Sequence, residues 1–223
     1  MKVVTGKSIL KGIAIGRLKI YRREIGQASR TSTLTPEEEF ARFQSAQRAA
    51  QEQLGALYER ALDEVGEDNA AIFEIHQMML EDEDYVEAIQ GILDNQGATA
   101  EYAVTVTGEN FAAAFAAMED PYMQARSADV KDISCRVVNI LTGADRGAAQ
   151  GEEPAILVAD DLTPSETVQL DKSKLLGFIT RGGSTNSHTA ILARTMGIPA
   201  LIGVDFDDSW DGELAILDGY NHC

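Results

Sequence analysis

Residues 182–203 read Gly182-Gly183-Ser184-Thr185-Asn186-Ser187-His188-Thr189-Ala190-Ile191-Leu192-Ala193-Arg194-Thr195-Met196-Gly197-Ile198-Pro199-Ala200-Leu201-Ile202-Gly203. Before them stands Leu175-Leu176-Gly177-Phe178-Ile179-Thr180, a short apolar run that reads as a buried strand feeding a tight turn. The turn holds two glycines and four small polar residues. From Thr189 to Met196 the spacing becomes helical, with Ile191, Leu192 and Met196 able to share a face. Gly197 then supplies the stop, and Pro199 lies just past it. The order is strand, polar glycine turn, helix, strand, which is the grammar of an α/β domain. His188 sits where the turn becomes the helix. A first helical turn carries unpaired N–H groups and the positive end of the macrodipole, so it attracts an anion and discourages an imidazole from taking a second proton. A neutral imidazole is a nucleophile. Spacing alone leaves two readings open, a phosphoryl-accepting histidine and a cap-region residue on a surface turn.

Working outward, the 223 residues are 44% hydrophobic, enough for one or two ordinary cores. No apolar run approaches the roughly 20 residues that span a bilayer, and Met1-Lys2-Val3-Val4 lacks a signal-peptide pattern, so a cytoplasmic location is expected. The net charge of -17 argues against nucleic acid and against anionic membranes. It fits either plain solubility or a basic protein partner met by electrostatic steering. Cys135 and Cys223 give neither a disulfide framework nor metal spacing. His76, His188 and His222 are too far apart to read as metal ligands, and no metal site is expected. There is no Gly-x-Ser-x-Gly elbow, and no Walker or dinucleotide glycine pattern.

In chain order, residues 11–21 alternate as a strand, with Ile13 and Ile15 followed by Leu18 and Ile20 after a one-residue shift at Gly16 that suggests a bulge. Residues 22–32 are polar and read as a linker. Thr35-Pro36-Glu37-Glu38 opens a long helix with a capping hydroxyl, a proline at the first position and a glutamate three residues after the cap. Phe40, Phe43, Ala50, Leu54, Leu57, Ala61 and Val65 form its core stripe, and Gly66 ends it. Further helices are expected over residues 70–80, 85–93, 100–118 and 122–141, joined by short connections as a bundle or pair of hairpins. Residues 143–153 read as the linker back. Residues 155–159, 175–180, 200–204 and 214–217 then supply four strands, and Thr163-Pro164-Ser165-Glu166 repeats the capping pattern. The expected architecture is an α/β domain made from residues 1–31 and 144–223, with an all-α domain inserted at 32–143.

The helical part carries a second feature. Glu67 and Asp68, then His76-Gln77-Met78-Met79-Leu80-Glu81-Asp82-Glu83-Asp84, mix carboxylates with methionines. Either the methionines are core beside a solvated acidic edge, or they form an adaptable partner face flanked by acids.

Asp161-Leu162-Thr163-Pro164-Ser165-Glu166-Thr167, Gly177-Phe178-Ile179-Thr180, Ser187-His188-Thr189, Ala193-Arg194 and Ile198-Pro199-Ala200 together resemble Enzyme I of the bacterial sugar phosphotransferase system, the phosphoenolpyruvate-protein phosphotransferases. The likeness extends over nearly the whole chain. It implies an α/β phosphohistidine domain of the swivelling type with an inserted helical-bundle domain. It also implies a transferase that takes a phosphoryl group from phosphoenolpyruvate onto His188 and passes it to a histidine of the phosphocarrier protein HPr. By resemblance, Nε2 of His188 accepts the phosphoryl group and the hydroxyl of Thr167 orients the ring. Gly183, Ser184, Thr185, Asn186, Ser187 and Thr189 make the surrounding turn, and HPr docks through Glu67, Asp68, His76, Met78, Met79, Glu83, Asp84, Tyr122, Met123 and Arg126.

The family commonly has Gly-Gly-Arg-Thr-Ser-His at the turn, and alignment on Ser187-His188 puts Thr185 at the arginine. A planar two-pronged donor is thereby exchanged for a single hydroxyl. The family also continues into a carboxy-terminal barrel that binds phosphoenolpyruvate and Mg²⁺ and mediates dimerisation. The chain is expected to be an amino-terminal fragment without that barrel, binding no cofactor itself, monomeric, and exchanging phosphate with HPr only. Two other readings stay open: the phosphohistidine domain of a dikinase or phosphoenolpyruvate synthase-like enzyme, and a non-catalytic HPr-docking module. The nitrogen-regulatory paralogue carries an extra leading domain, whereas this chain opens at its first strand.

Overall fold

The computed structural model describes residues 3–22, 29–144, 153–183 and 188–223, the side chains of Val65 and His188 excepted. The chain divides into two compact units, Glu24–Arg146 and the pair Met1–Arg23 with Gly147–Cys223. The two segments read as linkers fall largely outside the described residues. Of the first, Thr31 bridges Ala98 and the Ser32 N–H donates to Gly97 O at 3.0 Å, so its end is ordered against the helices.

The helical unit contains α1 (Pro36–Val65), α2 (Glu67–Glu81), α3 (Glu83–Gln96), α4 (Ala100–Ala116) and α5 (Pro121–Thr142). Thr35 and Glu38 form the expected capping box at the start of α1, the hydroxyl accepting from Glu38 N–H and the carboxylate from Thr35 N–H at 2.9 Å. Gly66, Gly97 and Gly143 follow α1, α3 and α5 with φ of 83°, 56° and 66°, in the left-handed region where only glycine sits without strain. The stripe of α1 is core: Phe43, Ala50, Leu54 and Ala61 are fully buried, against Phe73, Leu80, Ile89, Leu93, Val104, Ile133 and Val137 of the other helices. Each such large apolar side chain contributes about 1.5–3 kcal/mol on burial. The side chain of Val65 lies outside the described residues.

Two contacts decide how these helices meet. Glu39 on α1 is 1% exposed, and its carboxylate accepts from the Ala100 N–H at 3.0 Å, from Arg42 Nη1 at 2.6 Å and from the Ser32 hydroxyl. It thus occupies the unpaired first turn of α4, where a carboxylate is favoured. Gly108 on α4 faces Ser134 on α5 so closely that a Cβ there would stand 2.3 Å from Ser134 Oγ, which itself hydrogen-bonds the buried Tyr85 hydroxyl at 2.8 Å. Gly108→Ala is therefore expected to cost about 2 kcal/mol by overpacking. Urea denaturation checks this, and an unchanged midpoint would contradict so close an approach.

The α/β unit holds β1 (Lys7–Leu10), β2 (Ile13–Ile20), β3 (Ala155–Ala159), β4 (Leu175–Thr180), β5 (Ala200–Ile202) and β6 (Leu214–Asp218), in the order β1-β5-β4-β3-β2-β6. Strands β2, β3, β4 and β5 are mutually parallel, with β1 and β6 antiparallel at the edges. Helix α6 (Pro164–Gln169) joins β3 to β4, and α7 (His188–Met196) joins β4 to β5. The core beneath the sheet includes Leu18, Ile20, Ile156, Val158, Leu201, Val204, Phe206 and Leu217.

Two expectations are corrected here. Two strands precede the helices, not one, since Lys7-Ser8-Ile9-Leu10 is too short and mixed to show a period. The bulge expected at Gly16 is absent: β2 pairs β6 through Ile15↔Ile216, Gly16↔Ala215 and Arg17↔Leu214 without a shift. Ala14, Leu18 and Ile20 face the core in one phase, and Ile13 and Ile15 point outward. Gly16 answers a different need, because a Cβ there would meet Leu176 Cδ1 at 2.5 Å. The register is irregular elsewhere, in β1 between Ser8 and Leu10 and at the start of β3 between Ala155 and Ile156. Among the described residues no helix is long and apolar enough to cross a membrane.

Candidate functional site

Four parallel strands end on one edge of the sheet, the edge where open α/β sheets bind ligands. β4 ends at Thr180, and the chain turns through Arg181, Gly182 and Gly183. The Thr180 hydroxyl donates to Gly182 O at 2.8 Å, while the Gly182 N–H donates to Asp160 O at 2.7 Å and the Arg181 N–H to Ala159 O at 3.1 Å. The turn after β4 is thereby fastened to the turn after β3. Gly183 has φ of 97°, a conformation that a side chain would strain.

Arg181 pairs with Asp160, donates from Nη2 to Phe206 O at 2.8 Å and lays its guanidinium over the Phe206 ring at 4.1 Å. Its Nε stands 3.6 Å from Asp205 Oδ1. The sequence reading did not single out this arginine. Its signal was its place, directly between a strand and a pair of glycines.

His188 is the first residue of α7, so its backbone N–H belongs to the unpaired first turn. Its side chain, and Ser184, Thr185, Asn186 and Ser187, lie outside the described residues. Thr189 follows, 1% exposed, its buried Oγ1 without a hydrogen-bond partner among the described residues. Ala190, Leu192 and Ala193 pin the helix into the core.

Thr167 lies on α6, 4% exposed, and its hydroxyl donates to Pro164 O at 2.7 Å. With that proton committed, Oγ1 can serve a further group only as an acceptor. α6 is fixed by a capping box between Thr163 and Glu166, and the Tyr21 hydroxyl at the end of β2 donates to Glu166 Oε1 at 2.9 Å. Beside these residues opens a cavity of about 440 Å³ lined by Ile20, Tyr21, Arg22, Asp160, Asp161, Phe206 and Asp208, with Arg22 and Asp208 paired at 2.7 Å. Among the described residues no group of three or more His, Cys, Asp or Glu is placed to hold a metal ion.

In the helical unit Glu67, Asp68, Glu83 and Asp84 are exposed, Met78 is 70% exposed, and Met79 and Met123 are half-buried. Tyr122 is 63% exposed and carries Arg126 on its ring face, the guanidinium 4.5 Å from the centroid. His76 departs from the expectation of a partner-contacting residue. It is 0% exposed, with Nε2 3.2 Å from Asp129 Oδ1 and Nδ1 3.6 Å from Asp132 Oδ2. Both nitrogens lie close to a carboxylate, but neither meets the alignment of a hydrogen bond. Helical spacing puts His76 on the same face as Phe73 and Leu80, which is the core face. Burial pushes the Asp129 carboxyl up, but His76 and Arg126 beside it outweigh this and hold it below the usual carboxylate range.

Residues 5–126 match the family described as PEP-utilising enzyme, N-terminal, and residues 151–222 match PEP-utilising enzyme, mobile domain. The chain is 36% identical to a phosphoenolpyruvate-protein phosphotransferase of Bacillus sp. (strain S) over 223 residues, covering 98% of this chain and 38% of that protein. It is 33% identical to one of Staphylococcus aureus, covering 99% of this chain and 39% of the relative. The chain thus spans well under half the length of the curated relatives it matches. Among solved structures, the solution structure of Enzyme I (nEIt) aligns with a TM-score of 0.74 and 33% identity, covering 99% of this chain and 91% of that one. The N-terminal domain of Enzyme 1 - Nitrogen aligns with a TM-score of 0.66 and 29% identity, covering 99% and 92%.

Proposed function

The chain belongs to the PEP-utilising enzymes, and from that premise we propose that it carries a phosphoryl group on His188 and exchanges it with the histidine of HPr, as the amino-terminal part of a phosphoenolpyruvate-protein phosphotransferase serving sugar uptake in the cytoplasm. The observation that carries this reading is the placement of His188 at the first turn of α7, directly after the glycine turn at the carboxyl edge of the parallel strands. A phosphoryl group there meets first-turn N–H groups and the positive end of the helix.

The chemistry follows from one hydroxyl. Thr167 gives its proton to Pro164 O, so toward His188 it can only accept. Accepting from Nδ1–H would select the tautomer whose Nε2 lone pair is free for the phosphorus. The Nε2–P bond then forms as the P–N bond to the HPr histidine breaks, and the imidazole left behind keeps its electron pair. One P–N bond replaces another, so the transfer runs in both directions, with positioning supplying most of the rate. The stretch around Thr185 offers hydroxyls and an amide in place of the family arginine.

HPr would dock on the helical unit at Glu67, Asp68, Met78, Met79, Glu83, Asp84, Tyr122, Met123 and Arg126, where acids suit a basic partner and methionines adapt to its shape. In the whole protein, phosphoenolpyruvate and Mg²⁺ would be bound by the barrel domain that the family resemblance implies. The described residues show no cluster fitted to Mg²⁺. The chain by itself is expected to be a monomer, and the whole protein a dimer through that barrel.

Phosphorylated HPr mixed with the chain tests this directly, by single-turnover transfer of an acid-labile phosphate. Thr167→Val should slow the transfer about 10²-fold, because the ring is then misaligned, while leaving the concentration dependence on HPr unchanged. An undiminished rate in that variant would remove Thr167 from the site.

A further inference from the structure

Beneath the proposed docking face lies a chain of polar contacts that runs from the core of the helical unit to its surface. Asp129 divides its carboxylate between two partners. Oδ1 stands 3.2 Å from His76 Nε2, and Oδ2 accepts from Arg126 Nη1 at 2.9 Å. Arg126 lies three residues before Asp129 on α5 and reaches back one turn, where its Nη2 donates to the Tyr122 hydroxyl and its plane covers the Tyr122 ring. His76 is itself held from behind, with Phe73 meeting its ring edge-on at 6.2 Å and Asp132 Oδ2 3.6 Å from Nδ1. The inner end is fully buried, whereas Tyr122 at the outer end is 63% exposed.

An arginine side chain carries about 2 kcal/mol of rotamer freedom, so even a largely covered guanidinium such as that of Arg126, 13% exposed, keeps one orientation best when something fixes its partner. Asp129 is that partner, and a buried carboxylate is costly unless both its oxygens are engaged. With His76 in place, Oδ1 is engaged on the core side and Oδ2 is left to hold Arg126 flat on Tyr122. Without His76, the carboxylate loses its inner anchor and can pull Arg126 off the ring.

We propose that His76 is a positioning residue for partner docking: from the core it fixes the Asp129 carboxylate, which holds the Arg126–Tyr122 pair in one arrangement on the surface. This rests on the docking reading given above. It also gives the buried histidine a role in partner recognition that needs no contact with the partner. Because Asp129 balances the charge of Arg126, the pair offers a basic partner an aromatic ring and donors without a bare positive charge.

The test is a double-mutant cycle on the 223-residue chain with phosphorylated HPr as substrate, using His76→Gln, Arg126→Ala and the two combined. KM, kcat and the thermal midpoint are read for each. Arg126→Ala should raise KM about tenfold and His76→Gln about three- to fivefold, both with kcat unchanged, and the double variant should be no worse than Arg126→Ala alone. Asp129→Asn breaks the same chain one link further out and should raise KM as His76→Gln does. A His76→Gln variant that melts earlier with an unchanged KM overturns the inference, as does one whose KM effect multiplies in full with that of Arg126→Ala. An Asp129→Asn variant with wild-type KM overturns it even if His76→Gln fails to fold. If Arg126→Ala alone leaves KM unchanged, the docking reading of this face fails, and the role of His76 goes with it.

Discussion

Replacing His188 by alanine should leave no measurable acid-labile phosphate on the chain after incubation with phosphorylated HPr, a loss of at least about 10⁴-fold in the transfer rate. The size follows from the chemistry. Removing a nucleophile removes the bond that forms, and neither helix N–H groups nor a well-placed hydroxyl can substitute for a nitrogen lone pair. The two other histidines are poorly suited to take over. His76 is fully buried against two aspartates, and His222 accepts from the Ser8 N–H through Nδ1 at 3.4 Å. Affinity for HPr should survive the substitution, since the proposed docking residues lie on α2, α3 and α5. Transfer that persists in His188→Ala, measured by rapid quench, would place the acceptor elsewhere.

Replacing Glu39 by alanine should cost about 3 kcal/mol, the largest single loss expected in the helical unit. The carboxylate is 1% exposed and serves three donors on three segments: the hydroxyl of Ser32, Arg42 on α1 and the Ala100 N–H at the start of α4. Arg42 is about a third exposed and still pairs with Glu101 at 2.5 Å, so part of its charge finds other company. The buried Ala100 N–H has no such recourse. Burial pushes the Glu39 carboxyl up, but the Ser32 hydroxyl, the Ala100 N–H and Arg42 together outweigh it and hold it below the usual range. A folded value below the unfolded one, about 4.3, means that this stabilisation is present above that pH and is lost as pH falls through the folded value. Chemical denaturation at pH 7 and at pH 3.5 should therefore show a smaller acid-induced loss in Glu39→Gln than in the unsubstituted chain. Equal losses would mean that Glu39 is not the group being titrated.

What could be read in the sequence was what local chemistry decides. Thr35 with Glu38, and Thr163 with Glu166, mark helix starts because the cap is complete within four residues. Gly66, Gly97 and Gly143 mark helix ends because φ is positive there. Less could be read where a residue answers to something distant in the chain. Gly16 looked like a bulge, but it is small because Leu176 lies against it across the sheet. β1 is defined by pairing with β5, almost two hundred residues away, and not by its own pattern. The resemblance put His76 on the docking face, although its spacing from Phe73 and Leu80 already placed it on the core side of α2. Of the site, the strand–turn–helix frame was legible, whereas the ties of Arg181 to Asp160 and Phe206 depend on three separate loops.

On the proposed reading this chain accepts a phosphoryl group on one histidine. The most direct measurement is to mix it with HPr labelled at its phosphohistidine, quench in alkali and locate the label by mass spectrometry and ³¹P resonance. The expected result is one acid-labile phosphoryl group per chain, on Nε2 of His188. Binding of HPr without transfer of label, or label on any other residue, would contradict it.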